Sequence, residues 1–181
     1  MSNVLAVIPA RLGSTRLAEK AVLEIEGKSL VERVWDGLAQ SELATRRVVA
    51  TDSQQIMELV AGFGGEAIMT DEALISGSQR VAAVARLLQK QIGEDFHWDA
   101  VVNVQGDMPF IKGALIDRVA QAMLDAPPEV MMATVVTPIT SEQVFNNPNK
   151  VKAVLSRFGE ALYFSRASVP HSRDGNRLQV E

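Results

Sequence analysis

Val4-Leu5-Ala6-Val7-Ile8-Pro9-Ala10-Arg11-Leu12-Gly13-Ser14-Thr15-Arg16-Leu17-Ala18-Glu19-Lys20 opens the chain with a buried strand that runs directly into a basic loop. Val4 to Ile8 is an unbroken apolar run suited to a strand covered on both faces, and the polar loop after Pro9 reaches about Ala21. Outward from this point, apolar β-rich runs alternate with stretches of helical period. That alternation belongs to the α/β class, with helices packed on a mostly parallel sheet. Ser29 and Glu32 form a capping box, and Leu30, Val31, Val34 and Leu38 repeat at helical spacing, which predicts a helix to about Ser41. Arg47 to Thr51 reads as the second strand, with Asp52 or Ser53 as the cap of a helix carrying Ile56, Leu59, Val60 and Phe63.

Glu66 to Met69 is a short third strand, and a helix of about Gln79 to Gln91 follows Ser76-Gly77-Ser78. Ala100 to Gln105 reads as strand four, followed by Gly106-Asp107-Met108-Pro109 and a helix of about Gly113 to Ala126. Met131 to Thr137 is expected as strand five, and Thr140 with Gln143 as a second capping box. Val151 to Leu155 and Ala161 to Phe164 read as a hairpin. The last ten residues are polar and carry no strong period, so the chain is expected to be cut short of a closed structural unit.

The composition narrows the field of functions. With 181 residues, 47% of them hydrophobic, the chain suits a single domain over residues 1–181. A net charge of −4 with both signs interspersed offers no basic field for nucleic acid. No apolar run approaches the length of a membrane span and the N-terminus lacks a leader pattern, so a cytoplasmic protein is expected. Without cysteine there are no thiolate nucleophiles or cysteine metal sites, and any divalent metal must rest on oxygen ligands. His97 and His171, the two histidines, have no partner at ligand spacing and read as surface residues. Trp35 and Trp98 read as packing or interface residues.

In an open α/β sheet, ligands bind outside the carboxyl ends of the strands. Two loops there carry chemistry. The first places Arg11, Arg16 and Lys20, two hydroxyls and Gly13 between the first strand and the first helix, a set able to wrap a polyphosphate. A solvated basic loop has the same composition, and the glycine and lysine spacing is not that of a Walker loop. The second ends an apolar strand in Gln105-Gly106-Asp107, where a carboxylate can hold magnesium against phosphate oxygens. An ordinary Gly-Asp turn reads the same way. A cationic cradle facing a carboxylate is nonetheless the pairing that metal-assisted nucleotidyl transfer requires.

Several short stretches in order resemble the 3-deoxy-manno-octulosonate (Kdo) cytidylyltransferases. They are Val7-Ile8-Pro9-Ala10-Arg11 with Ser14-Thr15-Arg16-Leu17, Val49-Ala50-Thr51-Asp52, Phe63-Gly64-Gly65-Glu66 with Met69-Thr70, Ser76-Gly77 with Arg80, Val102 to Asp107 with Pro109, and Ala161 to Ala167. The resemblance implies a Rossmann-like (GT-A-like) nucleotidyltransferase fold, three-layered, in which the Kdo anomeric hydroxyl attacks the α-phosphate of CTP. Pyrophosphate leaves and CMP-Kdo, a lipopolysaccharide precursor, forms. It further implies that Arg11, Ser14, Arg16 and Lys20 hold the triphosphate, that Asp107 binds Mg2+, and that Ala10, Ser76 and Gly77 belong to the substrate pocket. Arg80, Gln105 and Arg166 are then contacts of the sugar acid, and a homodimer is implied through the region after Ser165.

This sequence departs from the family pattern at the site. Ala18-Glu19 replaces a Pro-Gly beside Lys20, and Ala73-Leu74 replaces an Asp-His before Ser76. The family continues past Glu181 through a segment contacting the sugar and an aspartate that is the second metal ligand. Two other readings therefore stand beside a Kdo cytidylyltransferase. One is a non-catalytic nucleotide- or partner-binding protein on the same fold; the other is a cytidylyltransferase for a different acid sugar.

Overall fold

The computed structural model describes residues 2–13 and 20–171. The chain divides into two compact units, Met1–Ala133 and Thr134–Glu181.

In the first unit, β1 (Val4–Ala10) is the strand expected from the opening run, extended by Pro9 and Ala10. It lies between β4 (Arg46–Thr51) and β6 (Ala100–Asn103), parallel to both, and β5 (Ala67–Met69) completes a four-stranded sheet of order β5-β4-β1-β6. The side chains of Val4 to Ile8 are all 0% exposed, because each face of this sheet is covered. Successive residues of a strand point to opposite faces. Ala6, Ile8 and Ala10 accordingly join a core with Val31, Val34 and Leu38 of α1 (Leu30–Leu38), Ile56 and Val60 of α2 (Gln54–Gly62), and Ile116 of α4 (Gly113–Leu124). Leu5 and Val7 pack on the other side with Val81, Val84, Ala85 and Leu88 of α3 (Gly77–Ile92). The result is the three-layer α/β arrangement anticipated from the alternation of patterns.

Local signals explain where the helices begin. The Ser29 hydroxyl accepts from the Glu32 amide at 3.3 Å and starts α1. Of the two candidates before α2, Ser53 is the cap, accepting from the Ile56 amide at 3.4 Å. Ser76 and Gln79 form a reciprocal capping box, so α3 starts at Gly77, ahead of the expected Gln79. A two-stranded ribbon, β2 (Glu24–Ile25) with β3 (Lys28–Ser29), precedes α1 and was not anticipated.

Several boundaries move. Helix α1 ends at Leu38, short of Ser41, where the amides of Gln40 and Ser41 turn to the carbonyls of Gly37 and Leu38, three residues back, at 3.2 and 3.0 Å. Strand β6 stops at Asn103, short of Gln105, as its pairing with β1 runs out at Val7↔Asn103. The largest correction is strand five: residues 131–137 form no strand. Their β-propensity has no ladder to join, and Met131 and Met132 are 80% and 88% exposed.

The second unit holds the short helix α5 (Glu142–Asn146) and the antiparallel hairpin of β7 (Lys152–Leu155) and β8 (Ala161–Ser165). The cap of α5 is Ser141, which accepts from the Val144 amide, and Thr140 does not serve. Lys152 is 2% exposed and donates to the backbone carbonyls of Asn147, Lys150 and Arg166 at 2.9, 3.0 and 2.9 Å.

The start of α4 is held against the end of α1. A Cβ on Gly113 would lie 2.2 Å from the backbone carbon of Gln40, so no side chain fits there. Asp117, one turn on, receives the Ser41 hydroxyl and the amides of Glu42 and Leu43. Burial pushes the Asp117 carboxyl up, but these bonds outweigh it and hold its pKa below the ordinary 3.8.

Two measurements check this contact. Gly113→Ala is expected to lower the unfolding free energy by about 1–3 kcal/mol in chemical denaturation, through overpacking. Asp117→Asn is expected to destabilise by about 1 kcal/mol at neutral pH. Because the folded pKa is depressed, that stabilisation is full above the unfolded-state pKa and disappears as pH falls through the folded one. The two proteins should therefore converge in stability at acid pH.

Candidate active site

The carboxyl ends of β1, β4 and β6 open on one side of the sheet, and α3 begins there. Pro9 is flanked closely: a Cβ on Gly77 would lie 3.2 Å from its Cγ, and one on Gly106 would lie 2.9 Å from its carbonyl oxygen. These approaches bring the turn after β6 and the first turn of α3 against the end of β1. The small pocket they frame, about 120 Å³, is lined by Pro9, Ala10, Arg11, Leu74, Ile75, Ser76, Gly77, Arg80 and Gln105. The sequence reading named Ala10, Arg11, Ser76, Gly77, Arg80 and Gln105 from separate segments, and the fold gathers them around one cavity.

Beyond Gln105, Asp107 meets Lys20. The ammonium lies 3.0 Å from Oδ2, across 87 residues of sequence, and the two side chains are 39% and 55% exposed. Lys20, at the end of the basic loop, and the carboxylate of the second loop are thus neighbours in space. Lys20 opens a short 3-10 turn, Lys20–Val22, whose Ala21 is buried in the core, which fixes the base of the lysine while its tip stays in water. Gln105 is exposed, and its amide reaches Asn103 Oδ1 at 3.4 Å.

Ser14 and Arg16 lie outside the described residues. Arg166 belongs to the second unit, where its guanidinium donates to the Pro148 carbonyl at 3.0 Å. Arg80 reaches the pocket, but its guanidinium is turned into the protein: it is 2% exposed, with Nη2 on Asp52 Oδ2 at 2.6 Å and on the Leu74 carbonyl at 3.2 Å, and Nη1 on the Thr70 hydroxyl. The Asp52 partnership, spanning 28 residues, had no local signature in the sequence, where Asp52 read only as a cap.

A family model described as cytidylyltransferase matches residues 5–180. The 3-deoxy-manno-octulosonate cytidylyltransferase of Polynucleobacter necessarius subsp. necessarius (strain STIR1) is 46% identical over 177 residues, covering 98% of this chain and 67% of the relative. The chain belongs to the 3-deoxy-manno-octulosonate cytidylyltransferase family. Its counterpart from Syntrophotalea carbinolica is 41% identical over 172 residues, covering 95% of this chain and 65% of the relative. This cytidylyltransferase-family chain therefore spans about two thirds of the length of the curated relatives it matches. Among solved structures, a CMP:2-keto-3-deoxy-manno-octonic acid synthetase complexed with CTP superposes with a TM-score of 0.81 at 32% identity, covering 98% of this chain and 69% of the other. The fold class read from the sequence is thus the family's. No helix among the described residues is long and apolar enough to cross a membrane.

The exposure of the Lys20–Asp107 pair has a measurable consequence. Surface ion pairs contribute about 0–1 kcal/mol, so Lys20→Met and Asp107→Asn should each leave the unfolding free energy within about 1 kcal/mol of wild type in urea titrations. A larger loss would mean that the pair supports the fold.

Proposed function

We propose that this chain is the nucleotide-binding part of a cytidylyltransferase that transfers CMP from CTP to Kdo or a closely related acid sugar. The observation that carries the reading is the Lys20 ammonium 3.0 Å from the Asp107 carboxylate, beyond the pocket that gathers Ala10, Arg11, Ser76, Gly77 and Gln105. Family membership supports the choice of substrates, since relatives carry the name 3-deoxy-manno-octulosonate cytidylyltransferase.

In this reading the nucleoside enters the small pocket beside Ala10 and Ser76, and the triphosphate extends toward Arg11 and Lys20. The anomeric oxygen of the sugar acid forms a bond to the α-phosphorus, the bond from that phosphorus to the β-phosphate oxygen breaks, and pyrophosphate departs. The hydroxyl proton is released to solvent. Arginine and lysine next to the reacting phosphorus offset the charge that develops there. Arg16 and Ser14 would add to the same loop, and Gln105 and Arg166 would meet the sugar acid, arginine being suited to a carboxylate.

A divalent cation fits the donor set. Mg2+ is commonly held by one or two carboxylates together with substrate phosphates and water. Asp107 is a half-exposed carboxylate beside the proposed phosphate path, and no cluster of His, Asp or Glu able to hold a metal by itself occurs among the described residues. When bound, magnesium would supply charge neutralisation for phosphate oxygens. Asp107 would hold it, and Lys20 would turn from Asp107 to the phosphates. A cytoplasmic, dimeric enzyme of lipopolysaccharide precursor synthesis is the setting that this chemistry suits.

Calorimetry with CTP and Mg2+ tests the reading. Wild type should bind, and Asp107→Ala should bind about ten- to a hundred-fold more weakly with its magnesium dependence removed. A wild-type chain that binds no nucleotide overturns the proposal. Pyrophosphate release on adding Kdo then tests the transfer step, and binding without turnover under any acid sugar overturns it.

A further inference from the structure

The reaction proposed above leaves the Arg80 guanidinium unused, although the residue is only 2% exposed and sits at the pocket. Its bonds go to separate segments. Nη2 pairs with Asp52, just after β4, at 2.6 Å, and with the Leu74 carbonyl at 3.2 Å. Nη1 reaches the Thr70 hydroxyl, just after β5, and the Asp71 carbonyl at 3.5 Å. Thr70 in turn donates its hydroxyl to the Thr51 carbonyl at 2.9 Å. One planar fork thereby links the ends of two strands to the loop that forms the pocket wall.

We propose that Arg80 and Asp52 are positioning residues that fix the pocket wall from Leu74 to Gly77 for the nucleoside, without touching the nucleotide. This rests on the reading that the pocket takes the nucleoside end of CTP.

The other bonds of the loop are local. The Leu74 amide bonds the Asp71 carbonyl at 3.2 Å, the Ala73 amide the Asp71 side chain at 2.9 Å, and the amides of Ile75 and Ser76 share Gln79 Oε1 at 3.1 and 3.2 Å. They shape the loop and tie Ile75 and Ser76 to α3 through Gln79, but none of them joins the loop to the strand ends. Ala73 and Leu74 have no polar side chains with which to do so. The contact from Arg80 to the Leu74 carbonyl supplies that placement, and the close approach of Gly77 to Pro9 leaves little tolerance for error.

A purely structural ion pair would stabilise the fold without discriminating between ligands. The arrangement here acts on one side of the site: the wall it holds faces the pocket, whereas Lys20 and Asp107 are held by other segments. A lysine at position 80 could keep the charge next to Asp52 but could not reproduce the fork, because its ammonium is a point donor on a flexible stem. Asparagine at position 52 keeps an acceptor and removes the counter-charge.

The test compares binding of CTP and of inorganic triphosphate, both with Mg2+, to wild type, Arg80→Lys and Asp52→Asn, with Asp117→Asn as a control destabilised far from the pocket. Melting curves establish the temperature at which each is folded. Arg80→Lys and Asp52→Asn are expected to bind CTP about ten-fold more weakly or worse while their affinity for triphosphate stays within about two-fold. Asp117→Asn should bind both as wild type does. Unchanged CTP affinity in Arg80→Lys and Asp52→Asn, equal losses for CTP and triphosphate, an equal loss in the control, or failure of both Arg80→Lys and Asp52→Asn to fold overturns the proposal. Wild type that binds triphosphate but not CTP defeats it together with the nucleoside reading. Wild type that binds CTP while the variants match it defeats the positioning role of Arg80 and Asp52 alone.

Discussion

Val4 to Ile8 lose all contact with water because β1 is covered by strands on both edges and by helices on both faces, and everything at the site hangs from that burial. Each fully buried aliphatic side chain of this size contributes about 1.5–3 kcal/mol, so the strand is held firmly in place. Pro9, Ala10 and Arg11 follow from it directly, and they arrive at the ligand-binding end of the sheet as rigidly as the core that precedes them. The neighbouring segments are then fitted to β1: the turn at Gly106 against the Pro9 carbonyl, and the start of α3 against the Pro9 ring. A site made of segments distant in sequence acquires a fixed geometry because one buried strand serves as the reference for all of them.

Much of this was legible in the residues. Continuous apolar runs marked β1, β4 and β6, Ser29 marked the start of α1, and Asp52-Ser53 narrowed the start of α2 to two residues, because hydrophobic period and capping act within a few residues. The residues 131–137 show the limit of such local signals. Their composition favours a strand, but a strand exists only where a neighbour offers its hydrogen bonds, and composition does not record whether one is present. The same reason explains the site. The cationic loop and the Gln105-Gly106-Asp107 turn could be recognised singly, while the ion pair between Lys20 and Asp107 depends on the strand order. Arg80 shows the same limit: an arginine at a site mouth reads as a ligand contact, while its burial and its partner Asp52 emerge only from the fold.

The charges divide between two environments. Arg80 is withdrawn from solvent and Asp52 is 19% exposed, so removing the carboxylate leaves a buried guanidinium poorly compensated. Lys20 and Asp107 remain exposed, where their attraction is weak and easily exchanged for other partners. Ala73-Leu74, where the sequence departs from the family pattern, lies in the loop whose Leu74 carbonyl Arg80 holds.

The position of β6 gives the site a weak side. It is an edge strand of the sheet, bonded to β1 over the short register from Val4↔Ala100 to Val7↔Asn103, and Val101 on it is 41% exposed. Proteins open locally wherever few buried contacts resist it, well below the free energy of global unfolding. Fraying of this edge would carry Asp107 away from Lys20 while β1, β4 and their helices stayed folded. Hydrogen exchange at the amides of 100–107 would then run ahead of exchange in β1, and the carboxylate would be the first part of the site to be lost on warming.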